Sequence, residues 1–226
     1  MAKCLVIPTS KLKEHEIWKK LFINNSITAN AIFIDDSLKK NIYALIEDQK
    51  DYKERFNIEN LEQNERWQQV ICYFLVRQDQ SFYAYIRSEK SQDYLDSRMG
   101  QKVSVGLGGH IYKEYGKLNK AIISCLKNEV VFKIKDNNVD IKNNLIDLVG
   151  VVKDNRDEVG RMHFGLIYIV DVDKSIDIEL ITKENFQGWF VTYSKFMHEI
   201  VYNKECKYKI EGWSQLILDR ILPYLT

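Results

Sequence analysis

The chain has 226 residues, 45% of them hydrophobic and 29% charged, with 33 basic against 32 acidic side chains for a net charge of +1. That length suits one large domain, or one domain with an N-terminal extension, and leaves ample material for a core. The near-balanced charge excludes bulk electrostatic binding of nucleic acid, and no apolar run approaches the ~18 residues of a membrane span.

Residues 1–65 have their own texture. Cys4–Ile7 is a short apolar strand candidate ending at Pro8, too short for the apolar part of a signal peptide. Ser10 is placed to cap a helix running through Phe22, with Leu12, Ile17, Trp18 and Leu21 near one face. A second helix is expected after Ser37, with Leu38, Ile42, Leu45 and Ile46 as its apolar stripe. Residues 47–66 are charged and rich in Asn and Gln, so they read as a linker or an exposed helix. The segment as a whole reads as a packing extension.

Strands follow. Gln69–Val76 and Phe82–Ile86 flank a polar turn and predict a hairpin. Val103, Val105 and Leu107 alternate with polar or small residues, the period of a half-buried strand. Gly106, Gly108 and Gly109 cluster in a chain with only 10 glycines, which marks a tight turn or a close approach of backbone to a ligand. Leu118–Val131 has helical spacing, with Leu118, Ile122, Cys125 and Leu126 on one side. Leu145–Val152 and His163–Val172 are apolar strand candidates around a polar turn at 153–160. Ile176–Ile181 adds a strand; Thr192–Val201 and Trp213–Leu222 read as closing helices. The order predicts an α+β fold, an α/β/α sandwich with a mixed sheet covered by helices.

The four cysteines, Cys4, Cys72, Cys125 and Cys206, lie far apart with no CxxC pair. Zinc binding by a cysteine motif is therefore not expected, and free thiols in a reducing cytoplasm are.

The chemistry should concentrate between Lys102 and Phe132, where a strand, a glycine loop and a helix follow one another. Backbone N–H groups in such a loop can cradle phosphate. His110 adds an imidazole beside it. A hard divalent cation needs several oxygen ligands, and on a helix positions i, i+3 and i+4 share a face. Here that face reads Cys125, Asn128 and Glu129, with one carboxylate.

This layout resembles the Nudix box, in which a glycine is followed after five residues by Glu, then after seven by Arg-Glu-aliphatic-x-Glu-Glu. The chain is similar to the predicted phosphoesterase branch of the Nudix superfamily through QVICYFLV, Arg98 before GQKVSVGLGGHI, LVGVVKDNRDEVGRMHFGLIYIVDV and EGWSQLILDRIL. These pieces span roughly residues 66–222. Ser124 stands at the arginine of the box, Cys125 at its first glutamate, Leu126 at the aliphatic position, Asn128 at the next glutamate and Glu129 at the last. Only Leu126 and Glu129 match, and Glu114 is near but not at the isolated upstream glutamate.

The resemblance implies a Nudix-like sandwich over residues 66–226, with residues 1–65 as an N-terminal helical extension. It implies a nucleotide-type ligand and, for an active enzyme, Mg²⁺ or Mn²⁺. Glu129 is the retained ligand position, and Glu158, in the family-like EVGRMHFG segment, is the second carboxylate. Gly106, Gly108, Gly109 and His110, with Arg87, Arg98 and Arg161 as guanidinium forks for phosphate, are the candidate binding residues. Asp154 and Asp157 read as a solvated turn, and His163 as structural. Two functions stay open: a nucleotide-binding protein with weakened or lost hydrolysis, and a surviving metal-dependent pyrophosphatase. A protein partner or a second copy is the further expected contact.

Overall fold

A computed structural model describes residues 2–22, 28–55, 60–87, 102–134, 137–138, 145–175, 177–180 and 187–225. Arg98 lies outside the described residues.

The centre is a parallel pair of long strands, β4 (Trp67–Gln78) and β11 (His163–Asp171), in register from Gln69 opposite His163 to Arg77 opposite Asp171. Both are buried along most of their length, the pattern of strands covered on two faces. Arg77 locks one end: its guanidinium grips the Asp171 carboxylate at 2.6 and 2.9 Å and donates to the Leu225 carbonyl at 2.8 Å. β5 (Ser81–Ile86) returns antiparallel from β4, and β6 (Lys102–Ser104) pairs with β5. β7 (Leu107–His110) pairs with β4, and β10 (Ile146–Asp154) with β11. A smaller sheet holds β8 (Val130–Ile134), β9 (Asn137–Asn138) and β12 (Asp177–Leu180). β13 (Gln187–Thr192) extends the main sheet on β5, and β14 (Lys209–Ile210) on β6.

The N-terminal segment, expected as an appended extension of a strand and helices, is built into the main sheet. β1 (Lys3–Pro8) pairs with β4 and with β3 (Asp51–Glu54); β2 (Ala29–Phe33) pairs with β10. Cys4, Leu5, Val6 and Ile7 are all fully buried, which a loosely attached segment would not achieve. The single helix expected from Ser10 is two, α1 (Thr9–Glu14) and α2 (Glu16–Leu21). His15, in extended backbone, separates them and caps α2 by accepting from the Ile17 N–H. α3 (Asp36–Gln49) starts at Asp35, whose carboxylate accepts from Leu38 N–H, and buries Leu38, Ile42 and Ile46 as expected.

α4 (Leu118–Glu129) buries Leu118, Ala121, Ile122, Cys125 and Leu126 against one sheet face, together with α1 to α3. The other face carries α7 (Gly212–Arg220), α6 (Tyr193–Phe196) and the π turn at 197–201, packed on Tyr73, Leu75, Ile167 and Ile169. The result is the α/β/α sandwich that the order of elements predicted. The polar turn at 153–160 is instead the buried end of β10 followed by a short helix, α5 (Glu158–Met162).

Candidate functional site

The glycine stretch is a strand, not a phosphate-cradling loop. Leu107–His110 is β7, hydrogen-bonded to Ile71–Phe74 of β4. Glycine is required here by its neighbours. A Cβ on Gly106 would stand 2.0 Å from the Tyr73 ring, and one on Gly109 would stand 2.6 Å from Cys125 Sγ and 2.8 Å from Glu129 Oε1. The strand thus divides the site: Gly109 faces α4, while Gly108 faces Tyr73 and Ile71 on the opposite side.

On the α4 side the box-like positions meet as follows. Cys125 is buried beside Cys72. The neighbouring Cys72 thiol, burial and the Glu129 charge hold its thiol well above the usual range, so it is no thiolate ligand. The Asn128 amide is engaged by the Tyr115 hydroxyl. Glu129 is the one carboxylate on this face. Mg²⁺ calls for several oxygen ligands, and this helix face does not fit it.

On the other side lies a cavity of about 300 Å³. That is the lower end of the volumes that hold small ligands. Ile71, Tyr73 and Trp213 form an apolar wall, and Gly108 is part of the lining. Arg55, Arg87 and Lys102 bring positive charge; Asp157 and Glu211 bring negative charge. Glu211 is fully used. It caps α7 by accepting from Trp213 N–H at 2.9 Å and Ser214 N–H at 2.8 Å, and it accepts from the hydroxyls of Ser214 and Tyr73 at 2.8 and 3.1 Å. Asp157 caps α5 by accepting from Gly160 N–H at 2.6 Å. Burial, and then the Glu211 charge, keep the Tyr73 phenol far above its ordinary value, so it stays protonated.

His110 and His163 line the same cavity, because β7 and β11 flank β4 and place both rings near its start. Their centroids are 5.5 Å apart at 70°. His163 Nδ1 donates to the Val159 carbonyl at 2.6 Å, and His110 Nε2 pairs with Gln69 Oε1 at 3.0 Å. Burial lowers both imidazoles below the usual range, His110 strongly and with help from Arg55 and His163, so both are neutral. Glu62 joins them from the turn after β3. Its Oε1 accepts from Arg55 Nε at 2.9 Å and from Gln69 Nε2 at 3.2 Å.

Of the residues picked from sequence, Gly108, His110 and Arg87 line the cavity, while Gly106 and Gly109 serve packing. Arg161 points to Glu65 at the surface, 3.3 Å away. Glu158 is exposed in the first turn of α5. Arg55, Glu62, Ile71, Tyr73, Lys102, His163, Glu211 and Trp213 are among the site residues that no local sequence pattern marks as functional. The EVGRMHFG segment contains His163, but nothing in the local pattern pairs it with Glu62.

No family model matches the chain. Over 201 residues it is 26% identical to protein YmaB of Bacillus subtilis strain 168, covering 88% of this chain and 91% of YmaB. Among solved structures, Tm1382, described as a candidate Nudix hydrolase, superposes with a TM-score of 0.67 over 98% of both chains at 16% identity. DR0079 from Deinococcus radiodurans gives a TM-score of 0.44 at 14% identity, covering 70% of this chain and 84% of its own. The fold of this chain is Nudix-like.

Proposed function

We propose that this protein binds a nucleotide or nucleoside-diphosphate-type ligand in the cavity between β4, β7, α5 and α7, with the hydrolysis usual for the fold weakened or lost. The observation that carries this reading is the separation of cavity and helix. The cavity keeps cationic groups for phosphate and aromatic walls for a base, while α4 offers a single carboxylate. A fold does not bring its chemistry with it, so the residues of the site weigh more than the resemblance. A cytoplasmic location fits the thiols of Cys72 and Cys125, buried side by side without a disulfide.

The test is calorimetry with ADP and ADP-ribose as probes, beside a monophosphate-release assay in Mg²⁺ and in Mn²⁺. Binding without turnover is expected. Metal-dependent turnover that Glu129→Gln abolishes would overturn the reading in favour of a hydrolase with Glu129 and Glu158 at the metal.

A further inference from the structure

We propose that Glu62, His110 and His163 form a binding site for a divalent transition-metal ion of the zinc class, with an open coordination position facing the cavity. The three residues come from three separate stretches of chain: the turn after β3, the end of β7 and the start of β11. Each offers a ligand atom within 4.8 Å of those of the other two. A tetrahedral zinc site with bonds of about 2.0–2.1 Å sets its ligand atoms about 3.4 Å apart, so no pair needs to close by more than about 1.4 Å.

The surroundings point to a ligand rather than to a satisfied polar cluster. Glu62 has 8% of its side chain exposed, and its Oε2 is buried without a hydrogen-bond partner among the described residues. A buried carboxylate oxygen left without a partner is costly, and a bound cation removes that cost. Its other oxygen is held by Arg55 and Gln69, which fixes how Oε2 is presented. The histidines are oriented in the manner of metal ligands. His163 donates Nδ1–H to a backbone carbonyl, which leaves Nε2 with its lone pair, and the Gln69 amide ties His110 to Glu62.

The donor set decides the class of ion. Two imidazoles and one carboxylate suit Zn²⁺, Co²⁺ or Fe²⁺; Mg²⁺ prefers oxygen throughout. Three protein ligands leave a fourth position. His110 and His163 both line the cavity, so that position opens toward whatever occupies it. Arg55 offsets the Glu62 charge, so a dication here keeps a net positive charge and attracts an anionic oxygen.

The test uses the full chain, stripped with a chelator and titrated with Co²⁺ and then Zn²⁺ in the absence of any nucleotide, so its outcome is separate from that of the ligand reading. One equivalent of Co²⁺ should bind with visible d–d absorption and be displaced by Zn²⁺. Glu62→Gln and His163→Gln should each weaken uptake at least tenfold while far-UV circular dichroism stays native; Glu129→Gln should leave it unchanged. Should His163→Gln fail to fold, the near-isosteric Glu62→Gln gives the same reading. Substoichiometric uptake by the unsubstituted chain, uptake that Glu62→Gln retains in full, or loss of uptake in Glu129→Gln would each overturn the site.

Discussion

Cys125 lies against Gly109 so closely that its Sγ would be 2.6 Å from a Cβ at that position. The contact joins the helix that would carry box chemistry to the strand that separates it from the cavity. A glutamate in place of Cys125 would have to bury its charge in this contact, beside Cys72 and Glu129. The glycine and the cysteine are therefore best explained as one packing unit.

Gly109→Ala should destabilise the fold by about 1–3 kcal/mol, the usual range for overpacking a buried contact. Urea unfolding measures it. Adding Cys125→Ala, which removes the sulfur that the new methyl meets, should recover part of the loss. Glu129 remains 2.8 Å from the same point, so recovery should be incomplete. Equal losses in the single and double variants would disconnect the two residues.

Lys153 makes stability depend on pH. It is fully buried in β10 and donates to the carbonyls of Gly160 and Arg161 at 2.5 and 2.9 Å. Burial lowers its ammonium to about 7, against the pull of Asp154, Glu65 and Asp157. Below pH 7 both folded and unfolded chains carry the proton, and the cost of burying the charge is present in full. As pH rises through 7 the folded chain releases the proton while the unfolded chain keeps it, so stability rises by at most about 1.4 kcal/mol per pH unit. Cys4 and Cys125, whose thiols are raised, act in the opposite sense once unfolded thiols ionise near pH 9. The gap between the unsubstituted chain and Lys153→Met should therefore be followed from pH 6.5 to 8.5. A gap that does not widen in favour of the lysine protein would show that Lys153 is charged throughout.

The elements legible in the sequence were those with long, unambiguous apolar patterns. β4, β5, β10, β11, α3, α4 and α7 stand where periodicity placed them, within a few residues. The failures have physical causes. His15 splits an apparently continuous helix because its backbone is extended and its ring caps the second half, while Ser10, expected to cap the start, lies inside the first helix after Pro8. Residues 47–66 look like linker, yet they include β3, the fully buried Leu61 and the Arg55–Glu62 ion pair, which sits inside the fold because one Glu62 oxygen is held by the guanidinium. The glycines suggested a ligand loop when two of them make room for a tyrosine ring and a cysteine. His163 read as structural because its parallel register with β4, which brings it to His110, is a long-range fact that no local window contains.

Glu211 ties α7 to the sheet. Its carboxylate caps the helix and accepts from the buried Tyr73 hydroxyl, whose other partners are Ser104 and Ser214. Glu211→Ala removes the cap and one charged acceptor of that hydroxyl together. Losses of about 1 kcal/mol for the cap and about 1.5–3 for the charged hydrogen bond place the total above about 2 kcal/mol. Thermal unfolding at pH 7 checks this. Glu211→Gln keeps an acceptor oxygen and should lose less; an equal loss would mean that the negative charge itself is what α7 requires.

Arg87 and Lys102 approach the cavity from one edge, at the end of β5 and the start of β6, where the Arg87 N–H donates to the Lys102 carbonyl at 2.9 Å. Arg55, the third cation of the lining, is paired with Glu62, so Arg87 and Lys102 face the carboxylates of Asp157 and Glu211, and Glu211 is already saturated by four donors. A diphosphate should feel that edge directly. Lys102→Ala and Arg87→Ala should each weaken ADP binding about tenfold, in line with about 1.5 kcal/mol for a charge-assisted hydrogen bond. The loss should shrink as salt rises, because the cavity mouth is open to screening. Adenosine, which lacks the phosphates, should bind weakly and lose nothing more in either variant. Calorimetry with both ligands at two salt concentrations separates the outcomes: equal losses for ADP and adenosine would mean that the two side chains shape the cavity rather than meet phosphate.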